Sequence, residues 1–419
     1  MHLSAVVIPP CLRGFASDAP PDQAFDVALH GPQVARVQPV PGPVQGTLLS
    51  AFVDAHVHLD KNYAADSVGG AEGDLLTAIR RMDVYLAGEG ASTLRARMER
   101  ALEDAYACGS RALRTHLNWD GATPPPSLAV FTALQDAWRG RLELQWVSLI
   151  RLDFFADAAA ADALARAVRA GGGVLGAFVY RNADIDALLH RVFSLAQRYG
   201  LALDFHVDEG LDADATGVHS IARLTQAFGL QGRVVCGHGC SLSAQPAVQA
   251  LETLALCAQA GVHLVALPTT NLYLQGAWDA TPQERGITRL KEALALGVSA
   301  SIATDNVADA FYPYGSYDLF DSFGLGVQMA HLAPAQDALA TITIHPAAAL
   351  GLAWDGRIAP GCPADLVLLA ARNGNALLTP QGRQRVVVRA GVALPLDSGA
   401  ARTPLNAGPA PVQPPPHRP

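Results

Sequence analysis

The sequence predicts an α/β protein made of a closed (β/α)8 barrel of the TIM type and a small β-sandwich domain. Two observations support this fold class: strand-like and helix-like segments alternate after residue 50, and both chain ends are rich in glycine, proline and short alternating stretches. Eight apolar runs lie between residues 48 and 306, and each ends in polar residues. Such runs are typical of parallel strands that are covered on both faces. An open, doubly wound sheet would give the same pattern and remains an alternative.

The eight runs are separated by stretches long enough to hold a helix, as a parallel sheet requires. They are LLSAFVDAHVH, RALRTHLNW, LELQWVSLIR, GVLGAFVYR, LALDFHVDE, RVVCGHG, VHLVALPTTN and VSASIATDN. Between the fourth and fifth runs, the periodicity of DIDALLHRVFSLAQRYG predicts a helix with one apolar stripe. We expect Asp184 to cap its start and Gly200 to end it.

The two chain ends predict one small β domain, because their strand-like segments (AFDVALHG and RQRVVVRAGVAL among them) are bounded by turn residues. Its halves are residues 1–50 and 355–405, and the metal-dependent barrel spans residues 51–354. Residues 406–419 form a proline-rich tail that cannot bury a core, so we expect the tail to be disordered.

The composition excludes several classes of partner. The chain has 419 residues, with 30 basic and 38 acidic side chains and a formal net charge of −8, so nothing attracts nucleic acid or an anionic membrane. No apolar run reaches the roughly 18 residues of a membrane span, and the start MHLSAVVIPPCLRG lacks the features of a secretory signal. The six cysteines form no C-x-x-C pair, which indicates free thiols. We therefore expect a cytoplasmic protein without a nucleic-acid or membrane partner.

Histidines and an aspartate stand at the ends of the predicted strands, where the active sites of such barrels lie. The first strand ends with His56 and His58, whose side chains share one face of the strand. His206, His238 and Asp305 stand at the ends of the fifth, sixth and eighth strands. Three imidazoles and a carboxylate suit Zn²⁺, Fe²⁺ or Mn²⁺. We expect one divalent metal ion, with zinc as the first choice.

Several segments resemble the amidohydrolase superfamily, and in particular its branch containing bacterial cytosine deaminase and the isopropylammelide hydrolases. These segments are FVDAHVHLDK, HVDEG, TTNLYLQG, ERGITRLKEAL, ATDN, DAFYPYG and GRIAPGCPADLVLL. The resemblance implies one metal ion bound by four ligands, namely His56, His58, His206 and Asp305. It also implies that Glu209 carries a proton and that His238 assists the attacking water. A small heterocyclic substrate and a homo-oligomer follow from the same resemblance.

Glu209 has a chemical rationale of its own. It follows His206 by three residues, far enough to leave the metal and face the substrate. A carboxyl group there can protonate a ring nitrogen and then the leaving group, while Asp305 accepts a proton from water. The alternative is that Glu209 is an outer-shell or surface carboxylate.

The scarcity of lysine bears on the number of metal ions. Relatives with two metals bridge them by a carboxylated lysine at the end of the fourth strand. Here that strand ends in Tyr180 and Arg181, whereas Lys61 follows the first strand and Lys291 lies in the seventh helix. We therefore expect a single metal ion.

Three positions that read the substrate in cytosine deaminases differ in this chain. Arg151 replaces a glutamine, Asn306 replaces a second aspartate, and Phe311 replaces a tryptophan. Cytosine is therefore not the expected substrate, and a guanidinium at position 151 favours a small ring that carries an acidic group. Alternatively, Arg151 pairs with Asp153 or another carboxylate of the wall.

The expected reaction adds water to an unsaturated ring carbon flanked by nitrogen and displaces ammonia, an amine or sulfide. His116, Tyr180 and Arg181 are further candidates for substrate contact at strand ends. A thioxo-imidazolidine or imino-heterocycle carboxylic acid would suit Arg151. Cytosine- or creatinine-type deamination and the opening of a cyclic amide, as in imidazolonepropionase-like relatives, remain alternatives. A further alternative is a catalytically silent binding protein. The retention of the metal ligands and of Glu209 disfavours this alternative.

Overall fold

A computed structural model describes residues 1–69 and 74–395 of the chain. The predicted proline-rich tail, residues 406–419, lies outside the described residues, as do residues 396–405 of the predicted small domain. The strands are β1 (His2–Val7), β2 (Ala24–His30), β3 (Gln33–Pro39), β4 (Gly46–Ser50), β5 (Phe52–Val57), β6 (Ser110–Asn118), β7 (Glu143–Leu149), β8 (Val174–Val179), β9 (Leu203–Val207), β10 (Val234–His238), β11 (His263–Ala266), β12 (Ala300–Ile302), β13 (Leu366–Leu369), β14 (Arg385–Arg389) and β15 (Val392–Ala393).

The α-helices lie mainly between the strands β5 to β12 and after them. They are α1 (Ala65–Val68), α2 (Leu75–Ala87), α3 (Ala91–Cys108), α4 (Pro126–Ala137), α5 (Ala158–Ala170), α6 (Ile185–Tyr199), α7 (Gly217–Ala227), α8 (Ala247–Ala260), α9 (Pro268–Leu274), α10 (Leu290–Ala295), α11 (Leu319–Met329) and α12 (Ile344–Leu350). Short 3-10 helices span Pro10–Leu12, Leu152–Ala156, Cys240–Ser243, Ala335–Ile342 and Gly374–Ala376.

The strands β5 to β12 form an 8-stranded sheet in which neighbours along the chain are also neighbours in space. All seven pairings between them are parallel. Just past β12, Asp305 pairs with Val57 of β5 and donates its backbone N–H to the His56 carbonyl at 2.9 Å, which closes the sheet. The predicted (β/α)8 barrel is confirmed. The doubly wound alternative is excluded because its strand order would reverse within an open sheet.

The first predicted run is divided between two strands of different sheets. β4 belongs to the small domain, and β5 begins the barrel after Ala51, whose N–H donates to the Asp365 carbonyl at 3.1 Å. Every residue of β4 and β5 is buried, including Ser50 at the end of β4, so the boundary is not marked by an exposed residue.

The chain ends combine in a 7-stranded sheet with the order β15-β14-β13-β4-β1-β2-β3. Its pairings are antiparallel apart from the parallel pair β1–β4. The prediction that both chain ends build one small β domain is thus confirmed, with the hydrogen bonds running continuously through the seven strands as one sheet.

Helix α6 has the predicted limits but not the predicted N-terminal cap. It begins after Asp184, whose side chain makes no capping hydrogen bond, so this part of the prediction is wrong. Asp184 has a φ of −113° and a ψ of 47°, outside the extended conformation that usually directs an N-cap side chain to the free N–H groups. At the other end Gly200 takes the left-handed conformation with a φ of 64°, which costs glycine little.

The structure bears on two further expectations, which concern disulfide bonds and membrane-spanning helices. None of the six cysteines forms a disulfide bond, as the absence of a C-x-x-C motif indicated. Within residues 1–69 and 74–395, no helix has both the length and the apolar character needed to cross a bilayer.

A buried polar contact strengthens the closure of the barrel. The Asp54 carboxylate on β5 accepts a hydrogen bond from the Thr304 hydroxyl at 2.7 Å and another from the Thr304 N–H at 3.2 Å. Both side chains are 1% exposed, so water cannot replace the lost donor if the hydroxyl is removed. This contact therefore ties the first and last barrel strands immediately beside Asp305.

We expect Thr304→Val to lower the free energy of unfolding by about 1–3 kcal/mol, because it removes the hydroxyl donor to the buried Asp54 Oδ2 and leaves only the backbone N–H donor. The measurement is the urea midpoint of the metal-free protein. Thr132→Val is the control: this exposed threonine donates to Leu128 on the surface of α4, and its loss should change the free energy by less than about 0.5 kcal/mol. Equal shifts for the two variants would contradict the role given to Thr304.

Candidate metal centre and pocket

Four buried ligand atoms converge at the C-terminal mouth of the barrel. His206 Nε2 lies 3.1 Å from His56 Nε2 and 3.1 Å from His58 Nε2. Asp305 Oδ1 lies 3.5 Å from His56 Nε2 and 3.2 Å from His58 Nε2. The four side chains are at most 4% exposed. They form the only group of four ligands that we find among the described residues.

The barrel geometry explains why residues so distant in sequence meet. His56 and His58 occupy alternate positions at the end of β5 and therefore share its inward face. His206 lies near the end of β9, and Asp305 follows β12. Asp305 has a left-handed φ of 61°, a conformation that costs about 1–3 kcal/mol and is concentrated at functional sites.

The protonation state of the cluster suits a cation. Burial, reinforced by neighbouring positive groups, lowers the pKa of His56, His58 and His206 well below its ordinary value, so the three imidazoles are neutral. Asp305 Oδ1 has no hydrogen-bond donor among the described residues. Four ligands at about 2.0–2.2 Å from a tetrahedral zinc ion lie about 3.3–3.6 Å apart, close to the spacing of this cluster. The residues therefore fit a single divalent metal ion.

Glu209 and His238 lie beside this cluster. Glu209 Oε1 is 3.4 Å from His238 Nδ1, and both residues are under 5% exposed. Burial, together with the charge of Asp305, raises the pKa of Glu209 well above its ordinary value, although Lys61 opposes the shift. Burial also lowers the pKa of His238 to about 4. Both shifts have the same consequence, since they favour the protonated carboxyl group of Glu209 and the neutral imidazole of His238.

Asn271 determines the tautomer of His238. Its side-chain Nδ2 donates to His238 Nδ1 at 3.2 Å, so the imidazole proton lies on Nε2. His238 Nε2 has no hydrogen-bond partner among the described residues. His238 therefore has an N–H group available for a group that enters the site.

A pocket of about 630 Å³, including its open mouth, leads to the cluster. Its walls combine apolar side chains with polar groups: Leu75, Ile79, Trp119, Leu149, Ile150, Phe178 and Phe311 on the apolar side, and His58, Lys61, Asp83, Asn118, Asp120, Arg151, His206, Glu209, His238 and Asn306 on the polar side. Flat apolar walls with a few polar groups are typical of sites for small ligands.

Three of the predicted substrate-contacting residues line this pocket, namely Arg151, Asn306 and Phe311. Arg151 is at the rim, with its side chain 65% exposed, and its Nη2 lies 3.7 Å from Asp83 Oδ2. Asp153, the predicted alternative partner, instead accepts a hydrogen bond from Asn182. The Asn306 side chain donates to Asp309 Oδ2 at 2.7 Å, which fixes its carboxamide.

The other three predicted contacts are not among the residues that line the pocket. His116 is fully buried one layer below the mouth, because β6 continues to Asn118, and its ring packs against His56 with centroids 3.9 Å apart. Arg181 points to the exterior and makes two hydrogen bonds to Asp212, at 3.0 and 2.8 Å. Tyr180 packs against Phe178, with ring centroids 5.9 Å apart. These placements give no support to direct substrate contact by the three residues.

Several pocket residues were not predicted. Asn118 and Asp120 lie at and after the true end of β6, two and four residues beyond His116. Asp83 comes from α2, whose position above the mouth depends on tertiary packing. Lys61 was considered only as a bridging ligand, yet it lines the pocket 3.5 Å from His58 Nδ1. Its position three residues after His58 was the available signal.

The positions of the two lysines are consistent with the expectation of a single metal ion. The fourth barrel strand, β8, ends at Val179 and is followed by Tyr180, so no lysine stands where a bridging carbamate would form. Lys61 follows β5, and Lys291 lies on α10 with its ammonium donating to the His331 carbonyl.

Comparison with known proteins gives related sequences and folds. Residues 159–392 match the amidohydrolase family. The pterin deaminase of Rhizobium rhizogenes strain K84 is 39% identical over 350 residues, which cover 83% of this chain and 80% of that enzyme. The N-isopropylammelide isopropyl amidohydrolase of Pseudomonas sp. strain ADP is 23% identical over 397 residues, which cover 88% of this chain and 93% of that enzyme.

A solved structure extends the comparison to three dimensions. The 5-methylcytosine deaminase of Klebsiella pneumoniae, in complex with phosphonocytosine, superposes with a TM-score of 0.80 and covers 94% of this chain and 98% of that chain. The two sequences are 23% identical, so this likeness establishes a common fold.

We expect the wild-type protein to bind one equivalent of divalent zinc per chain and His206→Ala to bind it at least about 100-fold more weakly, because loss of a direct ligand exceeds the effect of an outer-shell change. Equilibrium dialysis with elemental analysis measures both quantities. Zinc should also raise the melting temperature of the wild type but not that of the variant. His190→Ala, at an exposed position of α6, is the control and should bind as the wild type does. Two tightly bound equivalents would contradict the single site.

Proposed function

The chain belongs to the amidohydrolase family, and we propose that it hydrolytically deaminates a small amino heterocycle of the pterin class. The resemblance drawn from its motifs is thereby confirmed, and the chain is a hydrolase of the amidohydrolase superfamily. The observation that carries the proposal is the buried Glu209, which lines one pocket together with His238 and two residues of the ligand cluster, His58 and His206.

We assign one divalent metal ion to the cluster of His56, His58, His206 and Asp305, with zinc as the first choice and iron or manganese as alternatives. When bound, such an ion supplies a Lewis acid that allows water to ionise near neutral pH. Asp305 accepts the proton that this ionisation releases.

Glu209 acts as the proton carrier. Its raised pKa keeps the carboxyl protonated at neutral pH, so it can protonate the ring nitrogen next to the amino-bearing carbon while the water oxygen bonds to that carbon. The carboxylate then takes the proton of the added hydroxyl and passes it to the amino nitrogen. The C–N bond breaks, ammonia leaves, and the ring carbon retains a carbonyl group.

His238 orients the attacking water. The neutral imidazole receives a hydrogen bond from Asn271 at Nδ1 and therefore offers its N–H at Nε2. This donor can hold the water oxygen in line with the ring carbon, which reduces the entropic part of the barrier.

The pocket walls support a flat bicyclic substrate. Phe178, Phe311 and Trp119 provide apolar contact, and Asn118 and Asp120 provide polar groups along an edge. The relative with 39% identity is named a pterin deaminase, which favours this ring class over a single pyrimidine. Cytosine remains disfavoured because residues 151, 306 and 311 all differ from the cytosine-reading set.

The test is a panel of pterin, cytosine, creatinine, a thioxo-imidazolidine carboxylic acid and imidazolonepropionate, incubated with the zinc-loaded enzyme. We expect ammonia and 2,4-dioxopteridine from pterin, followed by ammonia assay and ultraviolet absorbance. Release of sulfide, or a ring-opened acid in the absence of ammonia from pterin, would overturn the proposal and identify the alternative chemistry.

The Glu209→Gln variant belongs to the same test. It should lower kcat/KM for pterin by about 10²- to 10⁴-fold, because the amide cannot transfer a proton, while zinc content stays at the wild-type level. Glu99→Gln is the control, since Glu99 is a 43% exposed side chain on α3. An activity within tenfold of wild type for Glu209→Gln would exclude Glu209 as the proton carrier.

We also propose that Arg151 favours substrates with an acidic substituent, such as 6-carboxypterin. The guanidinium lies at the pocket rim, and its contact with Asp83 at 3.7 Å is too long for a strong ion pair, so it can turn to a ligand carboxylate. Asp83 offsets part of this attraction, and solvent screens the rest. The resulting preference is therefore modest.

Arg151→Gln should reduce the ratio of kcat/KM for 6-carboxypterin to that for pterin by about 3- to 10-fold, the effect of one exposed ion pair. Asp83→Asn should raise the same ratio because it removes a competing negative charge. Arg139→Gln, an 80% exposed side chain after α4, should leave it unchanged. If Arg151→Gln leaves the ratio unaltered, Arg151 does not bind the acidic group.

We propose a cytoplasmic location, which the six thiols support because none of them forms a disulfide bond and such thiols persist in a reducing compartment. We also expect a homo-oligomer, as the superfamily resemblance implies.

A further inference from the structure

Lys61 is a buried cation that faces the pocket. It is 5% exposed, lines the pocket beside Glu209 and Phe311, and has its Nζ 5.3 Å from the centre of the Phe311 ring. A lysine ammonium has three donor hydrogens and is expensive to bury without acceptors. The free energy of burying Lys61 therefore depends on which groups accept hydrogen bonds from its ammonium.

Among the described residues, the polar contact of the Lys61 ammonium is with His58 Nδ1, at 3.5 Å from Nζ. His58 Nε2 points to the ligand cluster, and His58 Nδ1 lies 3.2 Å from the His116 carbonyl oxygen. A neutral imidazole that coordinates through Nε2 carries its proton on Nδ1 and donates it to that carbonyl. His58 Nδ1 is then a donor and cannot accept a hydrogen bond from Lys61.

With His58 excluded, the described residues provide no hydrogen-bond acceptor for the Lys61 ammonium. The Phe311 ring face contributes a cation–π attraction but accepts no conventional hydrogen bond. The charge of Lys61 also lowers the pKa of Glu209 and Asp305, in agreement with a position on their side of the pocket. Because Lys61 lines the pocket, its free donors are available to a ligand that enters the pocket.

We infer that Lys61 binds the substrate directly by donating a hydrogen bond to a ring oxo group, and so selects oxo-substituted amino heterocycles. The inference rests on the proposed function and makes the substrate class more specific: the ring carries an oxo oxygen besides the amino group that is displaced. A neutral acceptor of this kind satisfies the ammonium without placing an anion beside Glu209. An arrangement that uses a buried donor in this way rejects analogues without the acceptor, because the donor is then left unpaired.

The test compares Lys61→Met with the wild type, both zinc-loaded, on pterin and on 2-aminopteridine, which lacks the 4-oxo group. We expect the variant to lose about 10- to 100-fold in kcat/KM on pterin and less than about 3-fold on 2-aminopteridine, since only pterin offers the acceptor. The dissociation constant of 2,4-dioxopteridine, a ligand that is not turned over, should rise by a similar factor in a fluorescence titration. Lys291→Met, which changes the only other lysine, should match the wild type in every measurement.

Equal losses on the two substrates, or an unchanged dissociation constant for 2,4-dioxopteridine, would overturn the role of Lys61. Lys61→Gln replaces Lys61→Met in the comparison if the methionine variant does not fold, and zinc content is measured for each protein. If the wild type binds 2,4-dioxopteridine but releases no ammonia from pterin, the proposed reaction fails, and the Lys61 inference is still decided by the dissociation constants. A wild type that binds neither ligand would overturn both.

Discussion

The structure depends on bringing three imidazole nitrogens and one carboxylate oxygen within 4.8 Å of one another in the buried mouth of the barrel. The closure of the barrel achieves this, because the backbone N–H of Asp305 donates to the carbonyl of His56, itself a member of the cluster. The hydrogen bond that completes the sheet therefore also sets the position of two ligands. Asp54 and Thr304 strengthen the same junction. A small error of register at this seam would displace the cluster as a whole, which makes folding and site assembly a single event.

The groups at the barrel mouth are costly to bury, and their protonation states limit that cost. The three histidines of the cluster are neutral, so the penalty for burying imidazolium is avoided. Glu209 keeps its proton for the same reason. At the barrel mouth, the buried atoms without a hydrogen-bond partner among the described residues include both carboxylate oxygens of Asp305 and Nε2 of His238. In a protein interior such groups are commonly those that a metal ion, water or substrate satisfies.

The sequence predicted those parts of the site that depend on strand periodicity and order alone. His56 and His58 alternate along β5, so their common face followed from the pattern, and the barrel topology placed His206 and Asp305 at the same end. His116 was assigned to the wrong depth, because it was treated as a strand end although the run RALRTHLNW and β6 both continue beyond it. The loops follow no such periodicity. The pairing of Arg181 with Asp212 and the inward orientation of Lys61 both depend on tertiary contacts that no local pattern encodes.

Depth distinguishes the two positive side chains of the pocket. Arg151 stands at the rim, largely in water, where screening and the neighbouring Asp83 reduce its attraction for an anion. Lys61 lies in the interior, where water cannot compensate for a missing acceptor. A substrate without an acceptor for Lys61 therefore loses more binding free energy than a substrate without an acidic group for Arg151, although both residues carry the same charge. Discrimination between rings should consequently arise at the floor of the pocket, next to Glu209, while the rim adjusts the preference for substituents.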